Sequence, residues 1–199
     1  MMQVALVDAG GANIGSVRYA LERLGVAATL TADAAVIRAA DRVILPGVST
    51  AATVMARLRE QGLIEVLRQL ERPLLGVCVG MQLLFEHSEE DDTPCLGLLP
   101  GRVARLSPGP GIRVPHMGWN TLRTQRGSGL TTGLDGGHAY FVHSYAAPVG
   151  ADCLMSTEHG QPFAAVVQRG RVAGAQFHPE RSAEVGARLI RNFIETGLQ

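Results

Sequence analysis

Gly76-Val77-Cys78-Val79-Gly80 sets a cysteine between two glycines, directly after the apolar run Leu74-Leu75-Gly76-Val77 and before an apolar stretch of helical character. A sharp strand-to-helix turn of this kind pushes its central side chain out at the carboxyl end of a sheet, and the small residues two before and two after avoid clashes. A thiol there can act as a nucleophile, favoured as thiolate by the N–H groups that open the following helix. The alternative is a buried structural cysteine beside incidental glycines. A nucleophile needs a base, and Gln176-Phe177-His178-Pro179-Glu180 ends another strand-like run. His178 can take the thiol proton, while Glu180 can orient the imidazole and stabilise its cation. The chemistry this trio supports is nucleophilic catalysis by the thiol.

Other candidates are weaker. Residues 10–16 (G-G-A-N-I-G-S) follow a strand and open a helix. Ala12 replaces the second glycine of a dinucleotide fingerprint, and Ser16 stands where a phosphate-binding loop needs lysine, so a tight turn is the better reading. Cys95 and Cys153 lack the glycine context and read as inert. His143 reads as a pocket residue and His138 as surface. No H-E-x-x-H, cysteine cluster or carboxylate-rich loop suggests a metal site, so neither metal nor cofactor is expected.

These residues need a scaffold. Residues 3–7, 27–31, 43–45 and 74–77 are short apolar strands, and between them Val17, Ala20, Leu21 and Leu24, then Val54, Leu58 and residues 63–70, recur at helical spacing. Strands alternating with helices imply parallel βαβ units. Beyond about residue 101, short strands at 103–106, 140–142, 163–167 and 172–176 sit between Gly and Pro turns. They suggest antiparallel strands added to the sheet. A last helix shows Val185, Leu189, Ile190, Phe193 and Ile194 on one face. Residues 107–111 (S-P-G-P-G) read as a rigid loop, and residues 89–92 (E-E-D-D) as a solvated acidic loop. The expectation is one α/β domain over residues 1–199, with a mostly parallel central sheet flanked by helices.

The chain has 199 residues, 46% hydrophobic and 18% charged, with zero formal net charge. That supports one sizeable core and offers no basic field for nucleic acid. All 18 basic residues are arginines, which excludes Schiff-base and P-loop lysines. Three cysteines without a paired spacing point to a reducing compartment, and no apolar run is long enough for a membrane span. A cytoplasmic protein without membrane attachment is expected.

Taken together, Gly76-Val77-Cys78-Val79-Gly80-Met81-Gln82 and Gln176-Phe177-His178-Pro179-Glu180 resemble the class I, triad-type glutamine amidotransferases. Asn13-Ile14-Gly15-Ser16, Pro46-Gly47-Val48, Pro115-His116-Met117-Gly118-Trp119-Asn120 and residues 140–145 are similar to its histidine-biosynthetic branch. The resemblance covers essentially the whole chain. It implies the amidotransferase fold and the catalytic triad Cys78, His178 and Glu180 acting on L-glutamine. It also implies an oxyanion hole from the backbone of Val79 and of Gly47 or Val48, and glutamine binding by Gln82, Ser144 and Tyr145. Ammonia would pass to a separate (β/α)8 cyclase subunit, in a heterodimer, for synthesis of imidazole glycerol phosphate. Asn13, His116, Met117, Trp119, Asn120 and Arg181 would lie at that interface. The family continues the Pro46-Gly47-Val48 loop with glycine; Ser49 stands here, with fewer accessible φ values. A glutaminase subunit of pyridoxal phosphate synthase is a rival that the P-H-M-G-W-N stretch disfavours. A cysteine peptidase or γ-glutamyl hydrolase active alone, and a binding module with a fossil triad, are rivals of other classes.

Overall fold

A computed structural model describes residues 2–10 and 14–198. The first half runs β1 (Val4–Val7), α1 (Ile14–Arg23), β2 (Ala28–Thr31), α2 (Ala34–Ala39), β3 (Arg42–Leu45), α3 (Ala51–Glu60), α4 (Ile64–Arg68), β4 (Leu74–Val77) and α5 (Val79–Gln82). The second half is richer in strands: β5 (His87–Ser88), β6 (Thr93–Pro94), β7 (Arg102–Arg105), β8 (His116–Thr121), β9 (Arg123–Thr124), β10 (His138–His143) and β11 (Tyr145–Ala146). After these come β12 (Cys153–His159), β13 (Gln161–Arg169), β14 (Val172–Ala175) and α6 (Ala183–Thr196).

The central sheet has eight strands in the order β2-β1-β3-β4-β14-β13-β12-β9. From β2 to β14 the pairing is parallel, and from β14 to β9 it is antiparallel. Every residue of β1 and β4 is buried, as parallel strands covered on both faces require. The fold class is thus α/β, with antiparallel strands added on one side. Six of the late strands pair elsewhere, among them the two expected in this sheet at 103–106 and 140–142. β10 forms a ribbon with β8, and β7 joins a small sheet in the order β11-β7-β5-β6.

Three departures from the sequence pattern have local causes. The helical run from Val54 to Leu70 breaks into α3 and α4 at Gly62, which has φ 67°. The apolar stretch after Cys78 makes only one helical turn. The carbonyls of Leu83 and Leu84, which would carry the helix on, accept instead from the N–H groups of Leu96, Leu98 and Leu99. The acidic run is more than a solvated loop: Glu90 Oε2 accepts the Ala51 N–H at the start of α3 (2.7 Å), and Glu89 Oε2 accepts the Arg105 N–H (2.9 Å). Its remaining members, Asp91 and Asp92, do face solvent.

Tight backbone crossings hold β3 against the turn after β4. A Cβ on Gly80 would overlap Leu45 O, and one on Gly76 would overlap Gly80 O. Gly80→Ala is therefore expected to destabilise the fold by about 3 kcal/mol or more, the range of a clash that only backbone movement can relieve. Gly109→Ala, where nothing lies near the added methyl, is expected to leave the unfolding midpoint nearly unchanged. Urea unfolding of the two variants side by side checks this.

Candidate active site

The register between β4 and β14 assembles the site. Val77 pairs with Ala175, both at strand ends, so the next residues, Cys78 and Gln176, leave the sheet together. Cys78 N–H donates to Ala175 O (2.8 Å), and the Cys78 carbonyl accepts from Met81 and Gln82 (3.0 and 3.2 Å). These bonds hold Cys78 at φ 54°, ψ −113°, a conformation that side-chain-bearing residues avoid and that needs the surrounding structure to enforce it. The Gly47 backbone, just beyond β3, lies against the same turn: a Cβ there would come within 2.8 Å of Gly80 N and Val79 Cβ. Gly47, Val48 and Val79 are thus neighbours at one sheet edge. Val79 opens α5, so its N–H has no intrahelical acceptor. With only four residues, α5 adds little helix dipole; local N–H groups carry the electrostatics there.

His178 reaches the same edge two residues past Gln176. Its N–H donates to Tyr140 O (3.0 Å), and its Nδ1 lies 2.8 Å from Glu180 Oε1, with the Glu180 side chain 1% exposed. Glu180 thereby fixes the ring with Nε2 left for Cys78. Burial pulls the His178 pKa down, but hydrogen bonds and charge from Cys78 and Glu180 outweigh it and hold it up at about 10. The ring is thereby held as imidazolium near neutral pH. Ser182 clamps this turn: it is fully buried, accepts Tyr140 N–H (2.9 Å) and donates to His178 O (2.7 Å). Sequence reasoning passed over Ser182. Its only signal is a serine four residues after the histidine, at the entry to the last helix.

A second polar group forms the inner wall. His143 Nδ1 donates to Tyr145 O (2.8 Å), which makes its Nε2 the acceptor for His116 Nδ1–H (3.1 Å). Burial lowers His143 to about 3 and His116 to about 4, so both rings are neutral near pH 7. Gln82 is buried, and its Nε2 donates to both Tyr145 O (2.8 Å) and Gln176 Oε1 (3.0 Å). The Tyr145 backbone therefore meets Gln82, and Ser144 adjoins it half-buried. Cys95 and Cys153 are buried, and burial pushes each thiol up to about 11, as suits inert cysteines.

The residues expected at an interface divide by strand alternation. On β8, Met117 (64% exposed) and Trp119 (54% exposed) face outward, while His116 is buried. Asn120 is tied down by Thr121 N–H and Glu158 O. His116 therefore belongs to the inner wall and stacks on Phe141 and His159. Trp119 meets Tyr140 edge-on (5.8 Å), and the Arg181 guanidinium lies over Tyr140 (4.8 Å). Asn13 lies outside the described residues. Ser49 is exposed and is not among the four described non-glycine residues with positive φ, so serine costs no left-handed strain in this loop conformation.

A glutamine amidotransferase class-I family model matches residues 5–196. The imidazole glycerol phosphate synthase subunit HisH of Xanthomonas axonopodis pv. citri (strain 306) is 64% identical over 98% of both chains. That of Xylella fastidiosa (strain Temecula1) is 62% identical with the same coverage. Among solved structures, a glutamine amidotransferase superposes with TM-score 0.76 at 24% identity over 98% of both chains. PurLQS from Thermotoga maritima does so with TM-score 0.69 at 18% identity, also over 98% of each.

The histidines predict how stability depends on pH. For His116 and His143 the folded pKa lies below the unfolded value near 6.5, so their contribution is complete above it and is lost as pH falls toward about 4. For His178 the folded pKa is raised, so its contribution is complete below about 6.5 and is lost as pH rises toward about 10. Stability is expected to peak near neutrality. Between pH 6.5 and 5 the buried pair should cost about 1–2 kcal/mol per ring. Urea midpoints across pH 5–9 check this, and His143→Asn should flatten the acid limb.

Proposed function

The chain belongs to the class-I glutamine amidotransferase family, and from that premise we propose that it is the glutaminase subunit of an imidazole glycerol phosphate synthase. In that role it serves histidine biosynthesis, hydrolysing glutamine and supplying ammonia to a cyclase. One observation carries the site assignment: Cys78, in its strained turn, shares a sheet edge with a His178 ring that Glu180 fixes at 2.8 Å.

The steps follow from this geometry. Cys78 thiolate attacks the side-chain amide carbon of glutamine, and negative charge develops on the amide oxygen. Backbone N–H groups of Val79 and of the Gly47–Val48 peptide would receive that charge. One such donor is worth about 2.7–4 kcal/mol, or about 10²–10³ in rate, so alignment of a single peptide in this loop is enough to gate turnover. As the tetrahedral species collapses, His178 gives its proton to the departing nitrogen. The C–N bond breaks, ammonia leaves and a γ-glutamyl thioester remains on Cys78. His178 then takes a proton from water, the hydroxide adds to the thioester, and the C–S bond breaks to release glutamate. Glutamine binding falls to Gln82, Ser144 and Tyr145; Gln82 has both amide protons committed to the protein, so Oε1 is the atom it can offer the substrate.

The partner is a (β/α)8 cyclase subunit bound as a heterodimer. Two observations support this: the relatives' name is that of a synthase subunit, and Met117 and Trp119 are exposed beside Arg181 and the triad turn. Ammonia in water at neutral pH becomes ammonium and loses its nucleophilicity, so delivery into a covered second site suits the chemistry. No helix among the described residues is long and apolar enough to cross a membrane, in keeping with a cytoplasmic enzyme.

Glutamate release from glutamine, by the chain alone and then with the cyclase and its nucleotide ligand, tests the reading. Low activity alone and strong activation in the complex are expected. Equal activity in both states would point instead to a stand-alone amidase. Cys78→Ala should abolish turnover with folding retained. Glu180→Gln should lower kcat by about 10²–10⁴ with little change in KM, through loss of the ring tautomer and of cation stabilisation.

A further inference from the structure

Gln176 is fully buried between β14 and His178, and neither the triad nor the substrate pocket as described uses it. We propose that the Gln176 side-chain N–H donates a hydrogen bond to Cys78 Sγ and holds the sulfur as a thiolate for attack and for release. The proposal rests on the reading of Cys78 as the nucleophile and adds a residue to that site.

The distance from Gln176 Nε2 to Cys78 Sγ is 3.8 Å, within reach for a donor to sulfur. An amide side chain can be turned over without changing its shape, so its orientation has to follow from its partners. Here the partners decide it. The Tyr145 backbone carbonyl can only accept, so the Gln82 atom 2.8 Å from it is Nε2. The same atom lies 3.0 Å from the Gln176 amide, so that end of Gln176 is Oε1. The other end, facing sulfur, is then the NH2 group. His143 Nδ1–H also donates to Tyr145 O, which pins the carbonyl from a second side. The whole chain is set from one end by a backbone carbonyl that cannot exchange its role.

Two other groups act on the sulfur. Val142 O lies 3.9 Å from Sγ and suits a protonated thiol. His178 supplies a proton that must leave during the reaction. Gln176 differs from both: an amide N–H donates without giving up its proton, so it remains in place throughout the cycle. It favours charge on sulfur in the resting pair. It favours that charge again when the thioester breaks and the C–S electron pair returns to Cys78. The titratable groups around the thiol are His178 and Glu180 from the turn after β14, and His143 from β10.

The test is alkylation of the full chain by iodoacetamide from pH 5 to 10, read at Cys78 by peptide mass, with Cys95 and Cys153 as internal references. Gln176→Glu keeps an acceptor for Gln82 but turns a carboxylate oxygen toward sulfur. Its pH–rate curve at Cys78 should move to higher pH by about one unit, with a rate at pH 7 about tenfold lower than wild type. Gln176→Met removes the donor at similar volume and should move the curve the same way by less. In the cyclase complex both should lower kcat more than they change KM. A merely structural role would lower the unfolding midpoint and leave the curve where it is. An unmoved curve in either folded variant overturns the proposal. If neither folds, the wild-type Gln176 side-chain amide, followed by ¹⁵N NMR, should shift as pH passes through the Cys78 titration, and a static signal would overturn it equally. Wild-type Cys78 reacting no faster than Cys95 is a different outcome: it would sink the nucleophile assignment itself.

Discussion

The hydrogen bond from Cys78 N–H to Ala175 O is the join on which the site depends. It extends the parallel register of β4 and β14 one residue past the sheet. Because the two strands run parallel, their carboxyl ends finish side by side, and chain leaving each end enters the same space. The proposed nucleophile, Cys78, comes from one end and its proposed base, His178, from the other, with no long loop to order. β3 ends one strand away and brings the Gly47 backbone against Val79 and Gly80. The glycines at 47, 76 and 80 are a consequence of this convergence: three backbones meet where side chains would not fit.

Two sets of histidines then divide the electrostatics. His178 is buried beside Cys78 and Glu180, whose hydrogen bonds and charge interactions together outweigh desolvation. His116 and His143 are buried against each other and against aromatic rings, where desolvation dominates and the Tyr145 carbonyl beside His143 only partly opposes it. The outcome is a cationic ring next to the thiol and a neutral wall behind it. The neutral pair has a use that charge would spoil. The Tyr145 carbonyl, which can only accept, fixes both the His143 donation through Nδ1 and the orientation of Gln82; a neutral His143 then keeps Nε2 as acceptor for His116 Nδ1–H, which a protonated ring could not.

The two faces of β8 meet different surroundings. His116 turns inward to the wall, while Met117 and Trp119 on the opposite face meet solvent. Trp119, Tyr140 and Arg181 form a continuous run of contacts that ends one residue from Glu180. Tyr140 also bonds His178 and Ser182 through its backbone. The exposed side of this ribbon is therefore joined to the turn that carries His178 and Glu180 by a few short contacts.

Cys78, His178 and Glu180 were legible from sequence because each depends on local constraints. A cysteine between glycines at a strand end, and a carboxylate two residues from a histidine, have their meaning within five residues. The alternation of strands and helices was legible for the same reason, since hydrophobic period reflects local geometry. Gln176, Ser182 and the inward turn of His116 were not. Their roles come from partners 27 to 98 positions away or from the face of a ribbon, and no short window contains them. The single turn of α5 was hidden likewise, because the N–H groups that end it belong to residues 96–99. Sequence alone determined which groups could do the chemistry. Tertiary structure decided which of them meet, which ring keeps its proton and which face is left open, because burial and hydrogen-bond direction exist only once distant segments are packed together.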